Sequence, residues 1–397
     1  MDKKTLIISQ HFYPEIGSAG NRMKNLYQLL ESEGYKFDVL TIDPSYPNKN
    51  LYKNDIFWDD MEFNNEPENV LRIKTKTRKY SKSMLKRLML YWEVSTKFLF
   101  EVIKRKRQYD YIYVTSPPIF IALVGLVAKH RYKAKLILEI RDLWPESLKG
   151  VKVFNSRFIL STFGMFEKVL YKKAEKVIVN SKGFINYIEK KEPSTKGKIY
   201  YIPNAARKYE VSLTEKSKDD FKVIYTGNVG LAQDTGFLEQ LAIKLNENKI
   251  KFTIIGYGVK FNDFKEFIHN RKLEYVSFVN PLTRKLCLRE IEEHNVGIVT
   301  LNNSDVFDTV LPGKVVDYLT CGLPIIGSVS GNTKHLIETH QVGYVSKKRD
   351  VNEIIEYIIK IKENPYLQRE FSTNCHKLIH EQFLWEKNFR IFKEIIQ

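Results

Sequence analysis

Thr5-Leu-Ile-Ile-Ser-Gln10-His11-Phe-Tyr-Pro-Glu-Ile-Gly17-Ser18-Ala-Gly20-Asn-Arg22-Met23-Lys-Asn-Leu26-Tyr27-Gln-Leu-Leu30-Glu-Ser-Glu-Gly34-Tyr-Lys-Phe37-Asp-Val-Leu-Thr-Ile42 reads, in order, as strand, loop, helix and strand. The runs Thr5 to Gln10 and Phe37 to Ile42 are short and rich in β-formers. Between them Met23, Leu26, Tyr27 and Leu30 recur at helical spacing, and Gly34 stands where a glycine would end the helix. Two strands joined through a helix pair in parallel, so this is one βαβ unit.

The alternation continues outward from that unit. Tyr111 to Thr115, Lys135 to Ile140 and Lys176 to Asn180 complete a first set of strands. After Ile199 to Asn204 comes Lys208 to Asp220, a polar stretch without strong periodicity that reads as a boundary. A second set follows at Lys222 to Thr226, Lys251 to Ile255, Tyr275 to Val279, Gly297 to Leu301 and Pro324 to Gly327, again with helical patterns between. The expected fold is therefore α/β, with two Rossmann-like, doubly wound domains at 1–204 and 205–375. A helical tail over 376–397, with Phe383, Trp385, Phe389 and Phe392 in apolar spacing, is expected to pack back toward the N-terminal domain. Ligands bind beyond the carboxyl ends of parallel strands, so function is expected where the loops of the two domains face a shared cleft.

Composition narrows the classes. With 397 residues, 43% hydrophobic and 28% charged, the chain is too apolar for disorder and too charged for a polytopic membrane protein. Cys287, Cys321 and Cys375 lack the CxxC spacing of a zinc site or a disulfide framework, which fits a reducing cytoplasm. The apolar run Leu6 to Ile8 is too brief for a signal peptide, and Ile119 to Ala128 is about half of what a membrane span needs. No metal is expected, because the HxxxH pair His376 and His380 has Lys377 where a zinc-hydrolase helix carries glutamate.

Four segments carry chemistry. The first is the loop His11 to Arg22, in which Gly17, Ser18 and Gly20 let backbone amides approach an anion at a helix start. It lacks dinucleotide GxGxxG spacing, and a plain tight turn is the alternative. The second, Arg141-Asp142-Leu-Trp144-Pro-Glu146-Ser147, follows a strand. Arg141 can neutralise phosphate oxygens and Asp142 or Glu146 can orient an acceptor hydroxyl, unless Arg141 and Asp142 form only a local ion pair. The third is the glycine loop Gly227-Asn228-Val-Gly230-Leu-Ala-Gln233, with Gly256-Tyr257-Gly258 ending the next strand. In the fourth, Thr309-Val-Leu311-Pro312-Gly313-Lys314-Val-Val-Asp317, an anion at the helix start would meet free amides plus the Lys314 ammonium. Asp317, on the same helix face, could accept ribose hydroxyls; a capped surface helix with a Lys–Asp pair is the bland alternative. Tyr257 and the loop through Asn280 are candidates for contact with a base.

Taken together, and in this order and spacing, these segments with Ile202-Pro-Asn204 resemble a retaining glycosyltransferase of family 4, with the GT-B fold, over nearly the whole length. They are most similar to the branch that includes bacterial N-acetyl-L-fucosamine transferases of surface polysaccharide synthesis. The resemblance implies a nucleotide sugar, UDP-linked, bound by the C-terminal domain, and a lipid-linked saccharide acceptor bound by the N-terminal one. It places Lys314 on the donor diphosphate and Asp317 at the ribose, with Asp142 and Arg141 assisting transfer. It also implies donor contacts from Gly227, Asn228, Gly230, Gln233, Gly256, Tyr257, Asn280, Thr309, Leu311 and Gly313. Acceptor contacts would come from His11, Gly17, Ser18, Gly20, Arg22, Trp144 and Glu146. Two positions depart from the family: Thr309 stands where many relatives have a glutamate, and Asn228 where a basic residue is usual.

The formal charge of +17 is unevenly placed, with 13 basic residues against Glu93 and Glu101 between Arg72 and Arg107. Apolar residues from Met84 to Val102 lie among these basic clusters, which suits a helix on an anionic membrane surface at the inner face of the cytoplasmic membrane. A solvated basic face is the alternative. Rival classes are a basic nucleic-acid-binding protein, for which no recognition motif is present, a sugar-nucleotide epimerase of the same architecture, and a catalytically silent partner subunit. Nucleic acid is not an expected partner.

Overall fold

The computed structural model describes residues 3–60, 63, 67–76, 84–151, 156–212 and 220–396, the side chains of 84–86 excepted. Arg78, Lys79 and Lys82 of the basic segment, and part of the expected boundary 208–220, lie outside the described residues. The chain divides into two compact units, Met1–Pro203 with Phe389–Gln397, and Asn204–Asn388.

The first unit holds β1 (Lys4–Ile8), β2 (Lys36–Ile42), β3 (Val70–Ile73), β4 (Tyr111–Ser116), β5 (Lys135–Ile140), β6 (Lys176–Val179) and β7 (Ile199–Tyr201). They form one parallel sheet in the order β3-β2-β1-β4-β5-β6-β7. The opening βαβ unit is present, with Thr5 opposite Phe37 and helix Ser18–Ser32 between its strands. Strand β1 pairs with β4 on its other side, Thr5 opposite Tyr111, so the winding reverses between β1 and β4. Every residue of β4 is buried, as expected of a central strand covered on both faces.

The second unit repeats the plan with β8 (Lys222–Asn228), β9 (Lys251–Tyr257), β10 (Val276–Val279), β11 (Val296–Thr300), β12 (Ile325–Ser328) and β13 (Gly343–Val345). Their order is β10-β9-β8-β11-β12-β13, and the winding reverses between β8 and β11. Val223, Tyr225, Phe252, Ile254, Val296 and Ile298 from the strands meet Leu238, Leu241 and Ile354 from the helices in one core.

The strands expected from sequence are present, and β3, β7 and β13 are additional. All three are edge strands of three or four residues, too short for period-two alternation to show. The last helix, Trp385–Ile396, returns the chain to the first unit. There Phe392 meets the Tyr113 ring edge-on at 5.5 Å, and Lys393 pairs with Glu33 at 3.0 Å.

Candidate active site

In the second unit the glycine loop lies at the reversal between β8 and β11, and its glycines have steric reasons. Gly227 has φ +100, a conformation that side-chain-bearing residues rarely adopt. A Cβ on Gly258 would stand 2.1 Å from Asn228 Oδ1 and 2.6 Å from the Val229 carbonyl oxygen, so only glycine lets the β9 end pack beneath the β8 loop. The Val229 amide donates to the Tyr257 carbonyl at 2.6 Å, the Gly230 amide to Gln233 Oε1 at 3.0 Å, and Asn302, just after β11, donates to the Leu231 carbonyl at 2.6 Å. The expected residues Gly227, Asn228, Gly230, Gln233, Gly256 and Tyr257 thus form one braced loop pair.

Lys314 lies in helix Gly313–Thr320, whose start at Pro312 has no side-chain cap and leaves its first amides available. The Lys314 stem approaches the glycine loop: a Cβ on Gly227 would be 3.8 Å from its Cε. The ammonium sits 3.5 Å from the centre of the buried Tyr225 ring. It is itself shielded from solvent and has no hydrogen-bond partner among the described residues. Burial holds its pKa well below the usual lysine value, and the Asp317 charge only partly offsets this. A desolvated amine between a glycine loop and an uncapped helix start is arranged to receive an anion.

Asp317 is engaged. Arg284 Nη1 donates to its Oδ1 at 2.7 Å, while Arg284 Nε and Nη2 hold both oxygens of Glu210 at 2.7 and 3.2 Å. Glu210 in turn accepts from the Arg207 amide at 2.9 Å, and Arg207 pairs with Glu386 at 3.0 Å. Asp317 is therefore one arm of a charged chain. Thr309 donates to the Val306 carbonyl at 2.6 Å, and its acidic neighbour Asp308 accepts from Ser330. Leu311 is buried, so its backbone is what it can offer, and Asn280 is an exposed loop residue after β10.

In the first unit the loop after β1 is built around Glu15, which sequence reading left without a role. Its Oε2 is 2.6 Å from His11 Nδ1, and its Oε1 accepts from the Ser45 and Tyr46 amides at 2.6 and 2.9 Å. A Cβ on Gly20 would lie 2.1 Å from the Glu15 carbonyl oxygen, which explains the glycine. Gly17, at φ +97, and Ser18 are exposed at the helix start.

Two residues expected at the acceptor also brace the first unit. Arg22 is buried, donating to Glu139 at 2.6 Å and to the Pro203 carbonyl at 2.8 Å, and Tyr113 also donates to Glu139, at 2.6 Å. Trp144 is buried between Tyr91 and Phe163, at ring distances of 5.8 and 6.3 Å. Glu146 pairs with Lys149 at 2.8 Å. Arg141 donates to the Pro117 carbonyl at 3.1 Å, and its charge acts on the Asp142 carboxylate. Burial pushes the Asp142 carboxyl up to about 6. Tyr225, Arg284, Glu210 and Glu15 were missed because what each one meets is set by the fold: Tyr225 lies within a strand, Arg284 at a helix start, Glu210 in a turn and Glu15 in a loop.

Two parallel-sheet, Rossmann-like units with ligand-ready loops at each reversal of winding constitute the GT-B architecture. Residues 17–205 match the glycosyl transferase 4-like domain, and residues 212–378 match glycosyl transferases group 1. An uncharacterized glycosyltransferase of Methanocaldococcus jannaschii is 23% identical, over 91% of this chain and 83% of the relative. A putative colanic acid biosynthesis glycosyl transferase of Escherichia coli is 22% identical, over 80% of this chain and 81% of the relative. Among solved structures, sucrose-phosphate synthase from Thermosynechococcus elongatus superposes with a TM-score of 0.74 at 18% identity, covering 99% of this chain and 98% of that one. HepE of Anabaena, solved with UDP and glucose, superposes with a TM-score of 0.69 at 14% identity, covering 99% and 98%. The chain is a glycosyltransferase built from these two domains.

Proposed function

We propose that the protein transfers an N-acetylated amino sugar, with retention, from a UDP-linked donor to a lipid-linked saccharide in capsule, O-antigen or exopolysaccharide synthesis, working at the inner face of the cytoplasmic membrane. The observation that carries the donor side is the Lys314 ammonium, buried and without a hydrogen-bond partner at an uncapped helix start. As the glycosidic bond to the diphosphate breaks, negative charge develops on the leaving oxygens. Lys314 and the helix-start amides would stabilise it without reorganising, and the proposal uses no metal. Asp317 would hold ribose, with Arg284 fixing its direction. Asp142, poised near neutrality by its burial, would orient and then relieve the acceptor hydroxyl of its proton, with Arg141 nearby in sequence. The basic segment 72–107 would meet anionic lipid. Relatives of similar sequence are named for colanic acid and teichuronic acid biosynthesis, and structural neighbours were solved with UDP, which supports the donor and the pathway class.

Thermal stabilisation by UDP, GDP, ADP and NAD tests the donor reading, because a ligand that binds only the folded state raises the midpoint. A rise with UDP that is lost in Lys314→Ala is expected. A rise with NAD alone, or an equal rise in the variant, would sink it. Conversion of a UDP-sugar without any acceptor would move the assignment to an epimerase.

A further inference from the structure

Large apolar side chains that face solvent are concentrated on three neighbouring helices of the first unit. Helix Met84–Lys104 buries Val94, Phe98 and Val102 on one face, yet leaves Met89, Trp92, Phe100 and Ile103 exposed, Trp92 to 65% and Phe100 to 64%. At 100° per residue those four fall within one narrow stripe. Helix Arg157–Lys173 does the same: Phe163 and Leu170 are buried, while Phe158, Met165 and Val169 are exposed, Phe158 to 81%. Helix Ile119–Tyr132 packs between the two and against β4 and β5, and exposes Val127. Its neighbours are fastened to it: Tyr132 donates to the Val102 carbonyl at 2.6 Å, and Lys129 to the Lys173 carbonyl at 2.6 Å. The three helices form one layer, and residues turned from the core share its outer side.

The charges on that layer have one sign. Lys104, Arg131, Arg157, Lys168, Lys172 and Lys173 are exposed, while Glu93 and Glu101 are half-covered and Glu167 is buried under Lys191. Among the described side chains no carboxylate of these helices is fully exposed. A second protein chain of this same sequence would bring the same positive charge to the contact. Exposed rings and thioethers beside lysines and arginines suit an interface that is apolar inside and negatively charged at its rim. Among the described residues no helix is long and apolar enough to cross a membrane, so the contact would be lateral.

We propose that this three-helix layer is a bilayer-insertion face, seating Met89, Trp92, Phe100 and Ile103 together with Phe158 and Met165 among the acyl chains of an anionic phospholipid membrane. It deepens the membrane contact proposed above for segment 72–107, and rests on that reading for its occupant. It adds a second insertion element outside that segment and an apolar contribution that salt does not screen.

The test is flotation of the full chain with vesicles of phosphatidylglycerol in phosphatidylcholine, against phosphatidylcholine alone, at about 0.15 M and about 1 M NaCl. Wild type should float with the anionic vesicles at the lower salt and keep a measurable fraction bound at the higher. Phe158→Ser with Met165→Ser should weaken binding by about tenfold or more. An unchanged pattern of limited proteolysis across residues 1–203 shows that the unit carrying both substitutions is folded. If the double variant floats like wild type while Lys104→Glu with Arg107→Glu does not, docking through 72–107 stands and the second insertion element is wrong. If wild type floats with neither vesicle, both membrane readings fail, and the UDP response still reports on the donor site separately. A concentration-dependent dimer in sedimentation that Phe158→Ser abolishes would reassign the face to a second copy.

Discussion

At Lys314 the position of one nitrogen sets several expectations. Replacing Lys314 with Ala removes a charge-assisted partner worth about 1.5–3 kcal/mol, so UDP affinity should fall roughly 10- to 100-fold with the fold retained. Titration calorimetry reads this directly. Because burial lowers the Lys314 pKa, the free site holds the ammonium proton less tightly than a site occupied by a diphosphate would. Donor binding should therefore take up a proton. The measured heat should vary with the ionisation enthalpy of the buffer, and affinity should decline as pH rises beyond the depressed pKa. Identical heats across buffers would contradict this. Asp142 behaves in the opposite sense. Its carboxyl, raised to about 6 by burial, contributes stability that is full below the ordinary aspartate range and is lost as pH rises through about 6. If it serves as base, turnover should rise through the same region, and Asp142→Asn should flatten that limb while reducing transfer more than donor binding.

Among the elements, Arg284 fastens the start of one helix to Asp317 on another and to Glu210 in the turn Lys208–Glu210. With Arg284 and both carboxylates largely shielded, Arg284→Met should cost about 3 kcal/mol in urea unfolding, because it strands two acidic groups. Arg284→Lys should cost less but still lose the fork geometry. A neutral result for Met would show the cluster to be solvated. How much of this was legible in sequence follows from which physical signals are local. The βαβ unit could be read because Met23, Leu26, Tyr27 and Leu30 carry their own periodicity, and Gly34 punctuates it. Lys314 could be read because proline, glycine and lysine at a helix start form a local pattern. The buried partners of Arg22 and Trp144 could not be read, because a residue next to a ligand and one that supports its neighbours look alike in sequence until burial is known. The Arg284 cluster was invisible: its partners lie 74 and 33 residues away, and ion pairing leaves no periodic trace.

For the whole molecule, the first unit is assembled from residues at both ends of the chain. Phe392 is buried against Tyr113, and Phe389 lies 6.4 Å from the Tyr35 ring. A chain ending at Asn388 should therefore lose stability in its N-terminal unit, while UDP recognition by the second unit survives. Phe392→Ala alone should cost about 3–5 kcal/mol. Limited proteolysis that spares the truncated N-terminal unit would argue against this. The arrangement also imposes an order on synthesis. A nascent chain emerges N-terminus first, so the strands of the first unit wait, with Tyr113 and Tyr35 uncovered, until Phe389 and Phe392 have left the ribosome. The second unit has by then had all of its own residues available. The domain translated first is thus the last that can be finished, and its exposed sheet is where a chaperone would find work on this protein.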